Sequence, residues 1–146
     1  MAGPYTVIAM NKPQAHVRID FSETCSIGPG KIALLEGIAR TGSLSAAARA
    51  LGMSYRRGWL LLHSVNDAFN EPAVALSIGG KDGGGARLTP FGTQLIQAYR
   101  DFEGAVDALA VKTFASMRPS RTAQPGPGSR RPLRRAGPAA AGRRGK

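Results

Sequence analysis

Between Lys31 and Asn70 apolar residues recur at helical spacing, but the run is cut at Thr41-Gly42-Ser43 and again at Gly52-Met53-Ser54. Each cut joins a glycine, which can take the left-handed backbone of a helix C-terminus, to a serine, which caps the next helix. Three helices in close succession are therefore predicted. The first, Lys31 to Arg40, sets Ile32, Leu35, Ile38 and Ala39 at helical spacing. The second, Ser43 to Leu51, carries Leu44, Ala47, Ala48 and Leu51 on one face. The third, about Tyr55 to Asn70, is expected to bury Trp59, Leu62, Val65 and Phe69.

The flanks have other periods. His16 to Phe21 alternates, with Val17, Ile19 and Phe21 on one side, and reads as a short strand ended by a turn between Ser22 and Gly30. After Pro72, Ala73 to Ile78 and Ala86 to Leu88 read as two strands joined by the flexible tip Gly79 to Gly85, GGKDGGG. Thr89-Pro90 then opens a long last helix, since proline in the first turn has no N–H to lose. Along it Leu95, Tyr99, Phe102, Val106 and Leu109 repeat at alternating steps of four and three. That heptad-like seam suits packing against another helix better than facing water. The expected organisation is a loose arm over residues 1–15, a folded domain over 16–113 and a disordered tail over 114–146. The tail is rich in Arg, Pro, Gly and Ala and too poor in apolar groups to fold.

Charge divides along the same line. The formal net charge is +11, and from Arg118 to Lys146 eight arginines and one lysine stand with no acid, so +9 lies there and +2 remains for the rest. A basic balance favours polyanionic partners, but on the nearly neutral body any such surface requires local clustering. Cys25 is the one cysteine, which rules out an intrachain disulfide and points to a reducing compartment. No apolar run reaches membrane length, and no signal-peptide pattern opens the chain. The expected location is the cytoplasm, in association with the nucleoid.

Two features carry the functional reading. A short alanine-rich helix, a three-residue turn with glycine and a longer helix make a helix-turn-helix, whose small residues permit close crossing. The second helix of such a unit enters the major groove with its first turn against bases and phosphates. Here that turn reads Ser54-Tyr55-Arg56-Arg57. Adjacent arginines project about 100° apart, so one can reach a guanine edge while the other takes a phosphate. Cations sit poorly at a helix N-terminus, and two placed there against that preference indicate an external anion. Ser43, at the start of the preceding helix, joins the candidate DNA contacts. The second feature is the glycine-rich hairpin, a wing whose slender tip can approach a backbone closely. Lys81 in the tip and Arg87 on the outgoing strand suit phosphate or minor-groove contact.

Enzymatic readings find little support. Asp101, Glu103 and Asp107 are expected on the exposed side of the last helix, and His16 and His63 are far apart without cysteine company. No nucleophile–base arrangement, nucleotide loop or metal-ligand spacing is present, so neither catalysis nor a cofactor is expected.

The run GPGKIALLEGIARTGSLSAAARALGMSYRRGW, followed by GGKDGGGARLTPFGTQLIQAYRDF, resembles the N-terminal domain of ModE-type molybdate-responsive transcription regulators. That domain is itself similar to the DNA-binding domain of LysR-type regulators. The resemblance spans about Ile19 to Leu109, and its distinctive elements are the S-Y-K/R-x-x-W start of the third helix, the GGKxGGG wing and the LTxxG opening of the last helix. It implies a winged helix-turn-helix, mostly α with a small β wing, that dimerises through the long C-terminal helix and binds a palindromic operator in double-stranded DNA. It places Ser54, Tyr55, Arg56 and Arg57 at the major groove and Lys81, with Arg87, on the wing. Such regulators continue into molybdate-binding domains, and the sequence after about Thr113 contains no β-rich module of that kind. The expectation is a regulator without direct molybdate sensing: constitutive, signalled by a separate sensor protein, or answering a signal that the sequence does not display. The basic tail admits two readings, a disordered arm adding sequence-independent affinity or a dispensable extension of biased composition. Were the tail the driver, the alternative function would be a nonspecific architectural DNA-binding protein.

Overall fold

In the computed structural model, residues 12–79 and 85–117 are described. The elements run β1 (Ile19–Asp20), β2 (Ser26–Ile27), α1 (Pro29–Thr41), α2 (Leu44–Ala50), α3 (Tyr55–Asn66), β3 (Val74–Ser77), β4 (Gly85–Leu88) and α4 (Pro90–Thr113). This is a winged helix-turn-helix, mostly helical, with two small antiparallel strand pairs. No helix of the described residues is long and apolar enough to cross a membrane.

The predicted stops hold where local chemistry dictates them. Gly42 closes α1 with φ 68° and returns its N–H to the Ile38 carbonyl, and Gly52 also has positive φ. The Ser43 hydroxyl accepts from Ala46 N and caps α2; the Ser54 hydroxyl accepts from Arg57 N and caps α3. Thr89 caps α4 in the same way, with Pro90 in its first turn.

Small residues set the helix spacing. A Cβ on Gly37 would lie 3.0 Å from the Ala47 Cβ, and one on Gly58 would lie 3.0 Å from the Ala48 Cβ. Helices α1 and α3 thus close on the two sides of α2 around Ile32, Leu34, Leu35, Ile38, Leu44, Leu62 and Val65. Val74, Ala86 and Tyr99 join the same core from the wing and α4.

Four expectations need correction. The first strand shrinks to Ile19–Asp20, and the presumed turn supplies its partner, with Ile19 opposite Ile27. Phe21 is exposed, although its ring meets Phe69 edge-on at 5.2 Å. Helix α3 ends at Asn66, not Asn70, because the Asn66 side chain is committed to the wing: its Oδ1 accepts from Ala73 N and Val74 N, and its Nδ2 donates to the Val74 carbonyl. Trp59 is 42% exposed and lies outside the core. Finally, only Asp101 of the three α4 acids is fully outward. Glu103 is ion-paired to Arg100, and Asp107 accepts from Ala15 N.

Arg100 ties α4 to α1. Its guanidinium meets the Glu36 carboxylate through two bonds of 2.7 and 2.8 Å and Glu103 through a third of 2.6 Å. Bonding to Glu36, chiefly, holds its pKa above the ordinary arginine value, so the charge is permanent.

A candidate nucleic-acid interface

The residues of the first turn of α3 stand together on the surface. Tyr55, Arg56 and Arg57 are exposed, with Ser54 capping beneath them. Neither arginine has a carboxylate within ion-pair distance among the described residues. The sequence explains why: from Gly37 to Asn66 there is no Asp or Glu, while Arg40, Arg49, Arg56 and Arg57 all fall there. All four are exposed. Arg40 and Arg49 occupy the last turns of α1 and α2, where a cation already suits the helix dipole. Arg56 and Arg57 have no such internal reason for their position.

The wing is fixed to this surface from both sides. Strands β3 and β4 pair from Val74–Leu88 out to Ser77–Gly85. The Ala86 N–H donates to the Gly42 carbonyl at 2.9 Å, which docks β4 on the α1–α2 turn beside Ser43. From the other side, the Asn66 clamp binds the foot of β3 to the end of α3. At the base, the Thr89 hydroxyl donates to the Pro72 carbonyl at 2.7 Å and accepts from Gly92 N at 3.0 Å. A Cβ on Gly92 would overlap the Ala73 carbonyl oxygen, so the LTxxG glycine is a requirement of packing. Arg87 is exposed on β4, opposite Ala75. Lys81, with residues 80–84 of the tip, lies outside the described residues, as do 1–11 of the arm and the tail from Arg118.

The seam of α4 divides between two environments. Tyr99 is buried in the chain's own core, its hydroxyl donating to the Val17 carbonyl at 2.7 Å. Burial raises the pKa of its phenol, which keeps it neutral and donating. Leu95 is half-buried against the same core, and Val106 is half-buried as well. Phe102 and Leu109 are 46% and 62% exposed, and Val111, Phe114 and Met117 continue the apolar surface.

Sequence reasoning missed Asn66, Arg100 and the outward part of α3. The helical phase could have located the last. With Gly58, Leu62 and Val65 marking the buried midline, Trp59 falls about 90° from it and Leu60 about 170°. The structure has Trp59 against His63, ring centroids 3.9 Å apart, and Leu60 52% exposed.

No family model matches the chain. Its sequence is 43% identical over 99 residues to the molybdenum-pterin-binding protein MopB of Rhodobacter capsulatus, a stretch covering 68% of this chain and 35% of that protein. It is 32% identical over 100 residues to the molybdenum transport protein ModE of Azotobacter vinelandii, covering 66% and 37%. With the DNA-binding transcriptional dual regulator ModE of Escherichia coli K12 the identity is 42% over 71 residues, covering 49% and 27%. The chain therefore spans about a third of the length of these relatives.

Proposed function

We propose that this chain, a homologue of the ModE and Mop proteins, is a sequence-specific DNA-binding transcription regulator. Helix α3 lies in the major groove with Tyr55, Arg56 and Arg57 at base edges and phosphates, while Ser43 and Ser54 face the backbone and Arg87 and Lys81 reach the flanking strand from the wing. The observation that carries this reading is the pair Arg56–Arg57, exposed and unpaired among the described residues at a helix N-terminus that disfavours cations. The acid-free stretch around them supports it, because a phosphate lattice would meet no repulsion across that face. So does the wing, which Asn66 and Gly42 fix at a set distance from α3.

Two copies pair through the outward residues of α4, Phe102 and Leu109 with the half-buried Val106, and Leu95 and Tyr99 hold that helix to its own domain. A two-fold dimer of this kind reads an inverted repeat whose half-sites lie about 34–36 Å apart or a multiple of that. The chain acts in the cytoplasm and performs no catalysis. Selection of bound sequences from a random duplex pool at physiological salt tests the proposal. An enriched inverted repeat is expected. Binding without any enriched sequence would replace it with a nonspecific DNA-coating protein.

A further inference from the structure

On α3, beyond the arginines, the outward surface turns apolar. Leu60 follows Arg56 by one helical turn and projects almost directly away from the core, 52% exposed. Trp59 beside it is 42% exposed, and its indole is steadied by the His63 ring at a centroid distance of 3.9 Å. Two large apolar side chains held outward on one turn cost hydration free energy unless something covers them. The cover must accept the arginines of the preceding turn as well, and the whole surface from Gly37 to Asn66 is without a carboxylate. A polyanion with apolar groups at its centre meets both demands. In the major groove the one apolar group on a base edge is the C5-methyl of thymine.

We propose that Leu60, with Trp59 packed beside it, reads a thymine methyl group in each half-site, and that His63 is the positioning residue that braces the indole. This rests on the reading of α3 as the major-groove helix and adds to it a second, apolar tier one turn beyond Arg56. The arginines supply hydrogen bonds and charge; Leu60 supplies discrimination at a pyrimidine that they do not touch. Trp59 limits the positions open to the leucine side chain and shields the methyl contact from water.

The test replaces each thymine of the selected half-site in turn by uracil, which deletes the methyl and nothing else. Affinity is measured for the full-length protein and for Leu60→Ala. At one position the wild-type protein should lose about fourfold in affinity, the worth of one buried methyl-sized group. Leu60→Ala should bind the thymine operator about fourfold more weakly and be indifferent to uracil at that position. Trp59→Phe should reduce the same sensitivity, and His63→Ala should do so while leaving salt dependence unchanged. Wild-type indifference to every uracil, or unchanged sensitivity in Leu60→Ala, would overturn the inference while leaving specific binding through α3 intact. So would a Leu60→Ala protein that keeps its sequence preference but changes its state of association, since the leucine would then serve a protein contact. Failure of the underlying reading is distinct: no operator would be selected at all.

Discussion

At the residue scale, single side chains are made to serve one purpose by their immediate partners, and Tyr99 is the clearest instance. Its hydroxyl donates to the Val17 carbonyl and ties the segment before β1 to α4. Burial raises its pKa, so the folded state holds the phenolic proton more tightly than the unfolded chain. Its contribution is whole below the unfolded value of about 10 and is lost as pH climbs through the folded one. Lys31 acts in the opposite sense, because burial lowers its pKa and folding disfavours its charge, although it donates to the Ser26 carbonyl at 2.6 Å. Tyr99→Phe should cost about 1 kcal/mol at neutral pH, as for one hydrogen bond. Denaturant midpoints across the alkaline range should fall less steeply for the variant than for wild type. The caps Ser43 and Ser54 and the stop Gly42 were legible in the sequence because their chemistry is local. Trp59 was not. An aromatic on a partly apolar helix reads as core, and only the phase fixed by Gly58 and Leu62, with small Ala48 opposite, shows that α3 is too close to α2 to take an indole between them.

At the element scale, what matters is how rigidly the wing stands relative to α3. Among the described residues its two strands share four residue pairs, and a hairpin of that size does not hold its own orientation. Three side-chain bonds from Asn66 and one backbone bond to Gly42 supply it. Asn66→Ala leaves the Ala73 and Val74 amides and the Val74 carbonyl without those partners and should destabilise the domain by about 1–3 kcal/mol. Hydrogen exchange should quicken in β3 and β4 before it does in α1. The hairpin and the last helix were legible from Pro72, the glycine run and Thr89-Pro90, with strand ends shifted by a residue or so. The β1–β2 pair was not, since two residues per strand leave no period to detect. The clamp and the Arg100–Glu36 bridge join positions far apart in sequence, or a polar residue to backbone, and no local pattern announces either.

At the scale of the whole molecule, the fold leaves an arginine-bearing face around α3 and a partly exposed apolar face along α4. The seam predicted along α4 divides in the structure: Tyr99 serves the chain's own core, and Phe102 and Leu109 remain outward. Pairing through that face should make Leu109→Asp lower the dimer population in sedimentation equilibrium, with folding unchanged because Leu109 is 62% exposed. Operator affinity should fall with the dimer, whereas nonspecific binding per chain should not. The proposed sequence readout centres on Arg56 at the head of α3. It is tested most directly by comparing wild-type and Arg56→Ala affinities for the selected operator and for a random duplex of equal length, at one physiological salt concentration. The expected operator loss is about 5- to 150-fold, the equivalent of 1–3 kcal/mol, with a much smaller loss on the random duplex. Equal losses on both duplexes would make Arg56 a phosphate contact, and no loss on either would remove Arg56 from the reading surface.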